Sequence, residues 1–256
     1  MKALEITHLK KSFGGVQAVD NLSFSVDEFE TVGVIGPNGA GKTTVFNLIS
    51  GLYQPDDGRI VYFGRDTKRL APFRLARLGL SRTFQNLRLF NSLSVSENIK
   101  APILSHDGYD LWKAVFRTRS FVRLEQSAEK KIRELLAFFQ MTGKETYPAN
   151  SLPYGEQRKL ELARALSGNP RLLLIDEPGA GMNPREIQDL VRIIRRVKES
   201  FRLTIVLIEH QMGLVMNVSD RVVVMDYGQK IAEGPPIEIK KNKKVIEAYL
   251  GDQFVC

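Results

Sequence analysis

Eight consecutive residues, Gly36, Pro37, Asn38, Gly39, Ala40, Gly41, Lys42 and Thr43, fit the pattern G-x-x-x-x-G-K-[ST], with Thr44 directly behind them. Small residues in such a loop let several backbone N–H groups turn inward around one phosphate. A helix opening at the loop's end adds the partial positive charge of its N-terminus. Lys42 then reaches the β- and γ-phosphates of a nucleotide, and the Thr43 hydroxyl suits a Mg²⁺ ligand. The complementary chemistry stands at Asp176 and Glu177, behind the apolar run RLLLI. An aspartate at the carboxyl end of a strand can hold the Mg²⁺ shell, and an adjacent glutamate can take a proton from an attacking water. Alone, an Asp-Glu pair says little, because loops are rich in acids. Coupled to a phosphate loop, it reads as the second half of a phosphoryl-transfer site.

Positioning these groups demands particular elements. The loop follows TVGVI and precedes a helix read from Gly41 to about Ser50, closed by Gly51, which is the context the pattern requires. Short strands are expected at Leu4 to Leu9, Leu22 to Val26, Thr31 to Ile35 and Arg59 to Phe63, broken by Gly14-Gly15 and Asp27-Glu28. Buried strands at Leu172 to Ile175, Thr204 to Ile208 and Arg221 to Met225 alternate with helical segments, the mark of a parallel α/β sheet. Between the halves, the pattern from Gln85 to Ser151 is mostly helical, and Ala128 to Gln140 has apolar residues at helical spacing, read as subdomain core. A further helix runs from Gly155 to about Ser167, and the tail from Pro236 is helical and basic. The gap from Lys42 to Asp176 exceeds a single βαβ crossover, so a whole subdomain must lie between them. The expected division is an α/β core of residues 1–84 and 166–256 around a helical insert of residues 85–165.

Composition sets outer limits. The chain has 256 residues, 43% hydrophobic and 26% charged, as a globular protein does. No apolar run approaches a membrane span, and MKALEITHLKKSF lacks a signal peptide's apolar stretch, so a cytosolic location is expected. The single cysteine, Cys256, excludes an internal disulfide or a cysteine-based metal site. The net charge of +8 permits an anionic partner. Its cations fall into groups at Arg65 to Arg77, Arg117 to Arg123, Arg192 to Lys198 and Lys240 to Lys244, each read first as a solvated helix face. No basic stretch is interleaved with base-stacking aromatics, so no nucleic-acid partner is expected.

One more segment completes an ordered set. Leu152, Pro153, Tyr154, Gly155, Glu156 and Gln157 precede the helical RKLELARAL. Here the chain resembles an ABC-type ATPase, whose signature is L-S-G-G-Q followed by such a helix, and the resemblance covers essentially the whole length. In that family's order, Gln85 in RTFQN matches the Q-loop glutamine. Gly181, Met182 and Asn183 lie in the D-loop that opens at Gly179, His210 in IEHQM matches the switch histidine, and Phe13 in KSFGG matches the aromatic that stacks on adenine. Taken singly, His210 reads as a core histidine closing a strand, Gln85 as a surface residue and Phe13 as core. GPNGAGKTT, RTFQNLRLF, LPYGEQRKLELARAL and DEPGAGMNP look most like the longer ATPase subunit of branched-chain amino acid importers, to which a helical stretch around Leu111 to Leu124 also fits. Urea and amide importers and lipopolysaccharide exporters share much of this wording.

The resemblance implies a P-loop NTPase fold of the ABC ATPase type: α/β, with a RecA-like core, an antiparallel β subdomain and a helical insert. It implies ATP and Mg²⁺ as cofactors, with Mg²⁺ held by Thr43, Gln85 and Asp176, and ATP hydrolysis with Glu177 as base and His210 at the γ-phosphate. It further implies a dimer whose signature serves the partner's nucleotide, two membrane permeases, and a periplasmic or extracellular binding protein. The seat would be the cytoplasmic face of the inner membrane. Pro153, Tyr154, Glu156 and Asn183 depart from the general pattern, and a second, non-identical ATPase subunit is expected to supply the fuller signature. The rival from another class is an ATPase of the same fold that acts on nucleic acid or ribosomes. It would use the +8 charge, but the chain has no coiled-coil insertion or second cassette.

Overall fold

A computed structural model describes residues 1–106 and 118–252. The chain forms two compact units, Met1–Leu75 with Arg171–Cys256, and Ala76–Pro170.

In the first unit, β1 (Lys2–Phe13) and β2 (Val16–Asp27) form an antiparallel hairpin, turned at Gly14 and Gly15. Both glycines have positive φ, 53° and 86°, as the two-residue turn that matches strand twist requires. Both strands run well beyond the expected Leu4–Leu9 and Leu22–Val26. Their polar ends pair through register shifts and bury little, so no hydrophobic alternation announces them. With β4 (Asp57–Tyr62) and β5 (Arg65–Asp66) they make a four-stranded sheet in the order β2-β1-β4-β5.

The second sheet of this unit contains β3 (Thr31–Ile35), β7 (Leu172–Asp176), β8 (Thr204–Ile208), β9 (Arg221–Asp226) and β10 (Gln229–Gly234). Its order runs β10-β9-β3-β8-β7, parallel except for the antiparallel β10. All five residues of β3, of β7 and of β8 are buried, which explains their unbroken apolar runs. Each fully buried Val, Leu or Ile there contributes about 1.5–3 kcal/mol relative to exposure. Strand β10 was not expected. It is a half-exposed edge with no apolar face, fixed instead by a two-residue turn at Tyr227 (φ 43°) and Gly228 (φ 80°). Arg221 ties it in, donating to both carboxyl oxygens of Glu30 (2.8 and 2.9 Å), to the Ser25 carbonyl (2.6 Å) and to Glu233.

Among the described residues the helices are α1 (Lys42–Ile49), α2 (Pro72–Arg77), α3 (Val95–His106), α4 (Arg119–Phe138), α5 (Tyr154–Ser167), α6 (Pro184–Phe201), α7 (Met212–Val218), α8 (Pro236–Ile239) and α9 (Lys243–Asp252). Among the described residues no helix is long and apolar enough to cross a membrane. The second unit holds α3, α4 and α5, with a short strand, β6 (Leu80–Arg82). Ser94 and Glu97 cap α3 reciprocally, at 2.7 and 3.2 Å. The buried Asn98 amide binds the Phe90 N–H and the carbonyls of Phe90 and Ser94, fixing the loop before the helix. Helix α4 buries Ala128, Ile132, Leu135 and Leu136, the face expected from Ala128 to Gln140, but begins earlier, at Arg119. Gln140, with φ 58°, lies beyond its end. Of the stretch Leu111 to Leu124, residues 111–117 lie outside the described residues, as do Arg117 and Cys256.

Candidate functional site

Parallel pairing brings the chemistry to one sheet edge. Val34 on β3 and Asp176 on β7 both pair with Ile208 on β8, the strand between them. The phosphate loop, the Asp176-Glu177 pair and the Glu209-His210 pair therefore leave three neighbouring strands at their carboxyl ends, where α/β sheets place ligands.

The loop's glycines each have a local reason. A Cβ at Gly36 would sit 2.1 Å from the Met225 carbonyl oxygen, and one at Gly41, 2.2 Å from that of Ala18. Gly41 also has φ 94° and caps α1, whose first turn carries no acidic residue. That leaves the helix N-terminus to an external anion. Lys42 is 6% exposed, and its Nζ donates to the carbonyls of Gly36 (2.7 Å) and Pro37 (2.8 Å). The loop thus fixes its own cation at the place where phosphate charge is expected. Thr43 is exposed at the start of α1, and Thr44 is half-buried behind it.

Asp176 is 4% exposed at the end of β7. Glu177 turns the chain sharply, with φ 41°, while its N–H donates to the Ile208 carbonyl at 2.9 Å. A side chain in that left-handed region costs on the order of 1–3 kcal/mol, and such strain gathers at functional sites. His210 Nδ1 stands 3.9 Å from the Glu177 carboxylate and 3.4 Å from that of Glu209.

Glu209 was missed by sequence reasoning. It is fully buried, and its oxygens accept the N–H groups of Gly179 (3.0 Å) and His210 (2.9 Å). Burial pushes its carboxyl above the usual range, against these hydrogen bonds, which pull it down. Gln211 Nε2 completes the grip by donating to the Gly179 carbonyl at 2.8 Å. A Cβ at Gly179 would meet Glu209 Oε1 at 2.5 Å. The available signal was an acid closing the otherwise apolar strand TIVLI.

Beyond Gly179, Gly181 takes φ 75° and Met182 N–H bonds to the Gly179 carbonyl. Asn183 caps α6: its Oδ1 accepts the N–H groups of Arg185 (3.0 Å) and Glu186 (3.1 Å), and Glu186 answers to the Asn183 N–H at 2.8 Å. Asparagine serves there as well as aspartate would. Phe13 is 42% exposed at the end of β1, with the Tyr53 ring edge-on at 5.2 Å and Lys11 Nζ 5.4 Å from its centroid.

Gln85 and the segment from Leu152 to Gln157 belong to the second unit. Pro153 caps α5 with φ −55° and ψ 150° but offers no side-chain hydrogen bond. Glu156 pairs with Lys144 through both oxygens at 2.6 Å, and Gln157 Nε2 donates to the Leu152 carbonyl at 2.8 Å. Gly155 has open space where a Cβ would stand.

Comparison with known proteins places the chain in a family. The ABC transporter family profile matches residues 19–180, and that of the branched-chain amino acid ATP-binding cassette transporters matches residues 229–255. The high-affinity branched-chain amino acid transport ATP-binding protein BraF of Pseudomonas aeruginosa is 41% identical over 97% of this chain and 98% of its own. The lipopolysaccharide export system ATP-binding protein LptB of Escherichia coli K12 is 34% identical over 99% of each. Among solved structures, the ADP conformation of an ATP-binding cassette of an ABC transporter superposes with a TM-score of 0.84 at 31% identity, covering 98% of this chain and 99% of that one. The chain belongs to the ABC transporter family, as one of its ATP-binding, ATP-hydrolysing subunits.

Proposed function

We propose that this chain powers a branched-chain amino acid importer from the cytoplasmic face of the inner membrane. The observation that carries the substrate class is a likeness that runs end to end. High-affinity branched-chain amino acid subunits align over 97% of the chain, and residues 229–255 fit the profile of branched-chain amino acid cassettes. Its partners are a second, non-identical ATPase subunit, two permeases that seat it on the membrane, and an external substrate-binding protein. No nucleic acid takes part.

When bound, Mg²⁺-ATP supplies the phosphoanhydride bond and its charge clamp. Thr43 and Asp176 fit the metal as hard oxygen donors, few enough to leave places for phosphate and water oxygens, as Mg²⁺ prefers, and Gln85 would be the third donor that the family resemblance implies. Gly36 through Thr44 cradle the phosphates, all but Pro37 having a backbone N–H, and Lys42 brings its charge to the β- and γ-phosphates. Phe13 stacks the adenine. Glu177 accepts the proton of the attacking water, and His210, 3.9 Å from it, meets the γ-phosphate. Leu152 through Gln157 face the partner's nucleotide. Since Pro153 lacks both hydroxyl and N–H, that contact falls to the amides of Tyr154 and Gly155 and to the N-terminus of α5. Gly181, Met182 and Asn183 line the same dimer seam.

The test is reconstitution of the co-purified membrane assembly with its binding protein. Leucine, isoleucine or valine should stimulate hydrolysis and enter the vesicle. Stimulation by urea or an amide alone, or lipopolysaccharide extraction, overturns the substrate class and leaves the ATPase site standing.

A further inference from the structure

Helix α5 carries a polar stripe, buried at Arg158 and Glu161, whose partners lie on a different part of the second unit. Tyr154, Arg158 and Glu161 follow one another at i, i+4 and i+7, so they share one face. Arg158 is 5% exposed. One amino group of its guanidinium donates to the Gln85 carbonyl (2.9 Å) and to the Tyr154 hydroxyl (2.9 Å). The other donates to the Phe84 carbonyl (3.2 Å) and to Glu161 (3.2 Å). Glu161, equally buried, accepts the Phe84 N–H at 3.3 Å through its second oxygen. One turn on, Arg164 holds the Arg88 carbonyl. The ring of Phe84 meanwhile sits under the guanidinium groups of Arg82 and Arg88, at 5.2 and 4.3 Å.

A buried ion pair is a poor source of stability, because desolvating two charges offsets most of their attraction. Well-packed apolar residues would hold α5 in place equally well. What the pair does supply is direction. A planar guanidinium with donors in a fixed fork can bind two successive carbonyls and a hydroxyl at once, which a lysine ammonium cannot reproduce. Those acceptors are the backbone around Gln85 and Tyr154, the third residue of the signature, where the family pattern has a glycine with no side chain to contribute.

We infer that Arg158 is a positioning residue that joins the Tyr154 hydroxyl to the Gln85 carbonyl, making the signature loop and the glutamine loop move as one element. The inference deepens the reading above, in which Gln85 serves Mg²⁺ on its own nucleotide and Tyr154 meets the nucleotide of the partner subunit. Occupancy at one site is then felt at the other through a single side chain.

Two variants separate this role from simple packing. Tyr154→Phe deletes one oxygen from a half-exposed ring and leaves the fold unchallenged. Arg158→Lys keeps the charge for Glu161 and loses the fork. Hydrogen–deuterium exchange on the full chain should show the amides of residues 84–88 exchanging several-fold faster in both variants, while those of residues 128–138 in α4 are unmoved. Unchanged exchange at 84–88 in Tyr154→Phe overturns the coupling, as does an increase spread evenly over the unit. A second readout is the Mg²⁺ dependence of hydrolysis by the assembled transporter. Tyr154→Phe and Gln85→Ala should raise the half-activating Mg²⁺ concentration in the same direction, and the double variant should match Gln85→Ala alone. Faster exchange at 84–88 with no Mg²⁺ shift in either variant keeps the coupling and removes Gln85 from the metal.

Discussion

Replacing Lys42 by alanine tests the phosphate loop at the point where structure and function make different demands on one side chain. In the folded chain, Lys42 is 6% exposed and its Nζ donates to the Gly36 and Pro37 carbonyls at 2.7 and 2.8 Å. The substitution removes two charge-assisted hydrogen bonds, but it also removes the cost of keeping an ammonium away from water. These terms oppose each other, so thermal stability is a poor discriminator and should change little. Nucleotide affinity has no such compensation. Losing one charge-assisted contact to phosphate costs about 1.5–3 kcal/mol, which is a rise in Kd of about 10- to 150-fold. ADP lacks the γ-phosphate, so its affinity should fall less than that of ATP. The assay is calorimetric titration with each nucleotide, in a Glu177→Gln background expected to suppress turnover. An ATP Kd equal to that of the parent refutes the reasoning. So does an equal loss for ATP and ADP, since it would place Lys42 away from the γ-phosphate.

Glu177→Gln keeps the side-chain shape but cannot accept a proton, so ATP binding should survive while kcat falls by at least about 100-fold in a steady-state phosphate-release assay. Pro153→Ser suits the existing φ of −55° and adds an N-cap worth about 0.5–2 kcal/mol; sedimentation with ATP in the Glu177→Gln background should show tighter dimers, and a chain that already dimerises tightly with Pro153 in place defeats the weak-signature idea. Glu209 has a carboxyl raised by burial above the ordinary 4.5, so the folded chain binds the extra proton and stability falls as pH rises from about that value through the raised one. Urea midpoints across that window should decline for the parent relative to Glu209→Gln. Asp56, held low by Lys11 and the Ser12 N–H, acts in the opposite sense at lower pH, and its contribution is lost as pH falls.

How much was legible in advance followed from where each signal is stored. The phosphate loop and the strands behind Lys42 and Asp176 were readable because their chemistry and burial are local: a fixed spacing of glycines, or five consecutive apolar residues. The start of helix α6 went unread, although the capping bonds that fix it, between Asn183 and Glu186 around Pro184, span only three residues. Strand β10 carries no such mark, because an exposed edge is held by its neighbour's backbone and by Arg221. Glu209 and Arg158 were opaque for a related reason. Each acts on the backbone of a segment far away in sequence, Gly179 or Gln85, through bonds that no periodicity records.

The turn between β9 and β10 has a practical consequence for anyone who handles this protein. Tyr227 is 87% exposed at its tip, which recommends it as a place for an epitope tag, a fluorophore-bearing loop or a circularly permuted terminus. Its neighbour argues otherwise. The Gly228 N–H donates to the Ala40 carbonyl at 3.2 Å, inside the phosphate loop, and the Gly228 carbonyl accepts the Asp20 N–H at 2.9 Å. The turn is thus a two-residue rivet through the nucleotide loop and the antiparallel sheet, and its length is fixed by both. A label attached to the Tyr227 side chain leaves that rivet whole. Residues inserted beside it would lift the floor from under Gly41 and Lys42, and an apparently peripheral tag would read out as a loss of ATP binding.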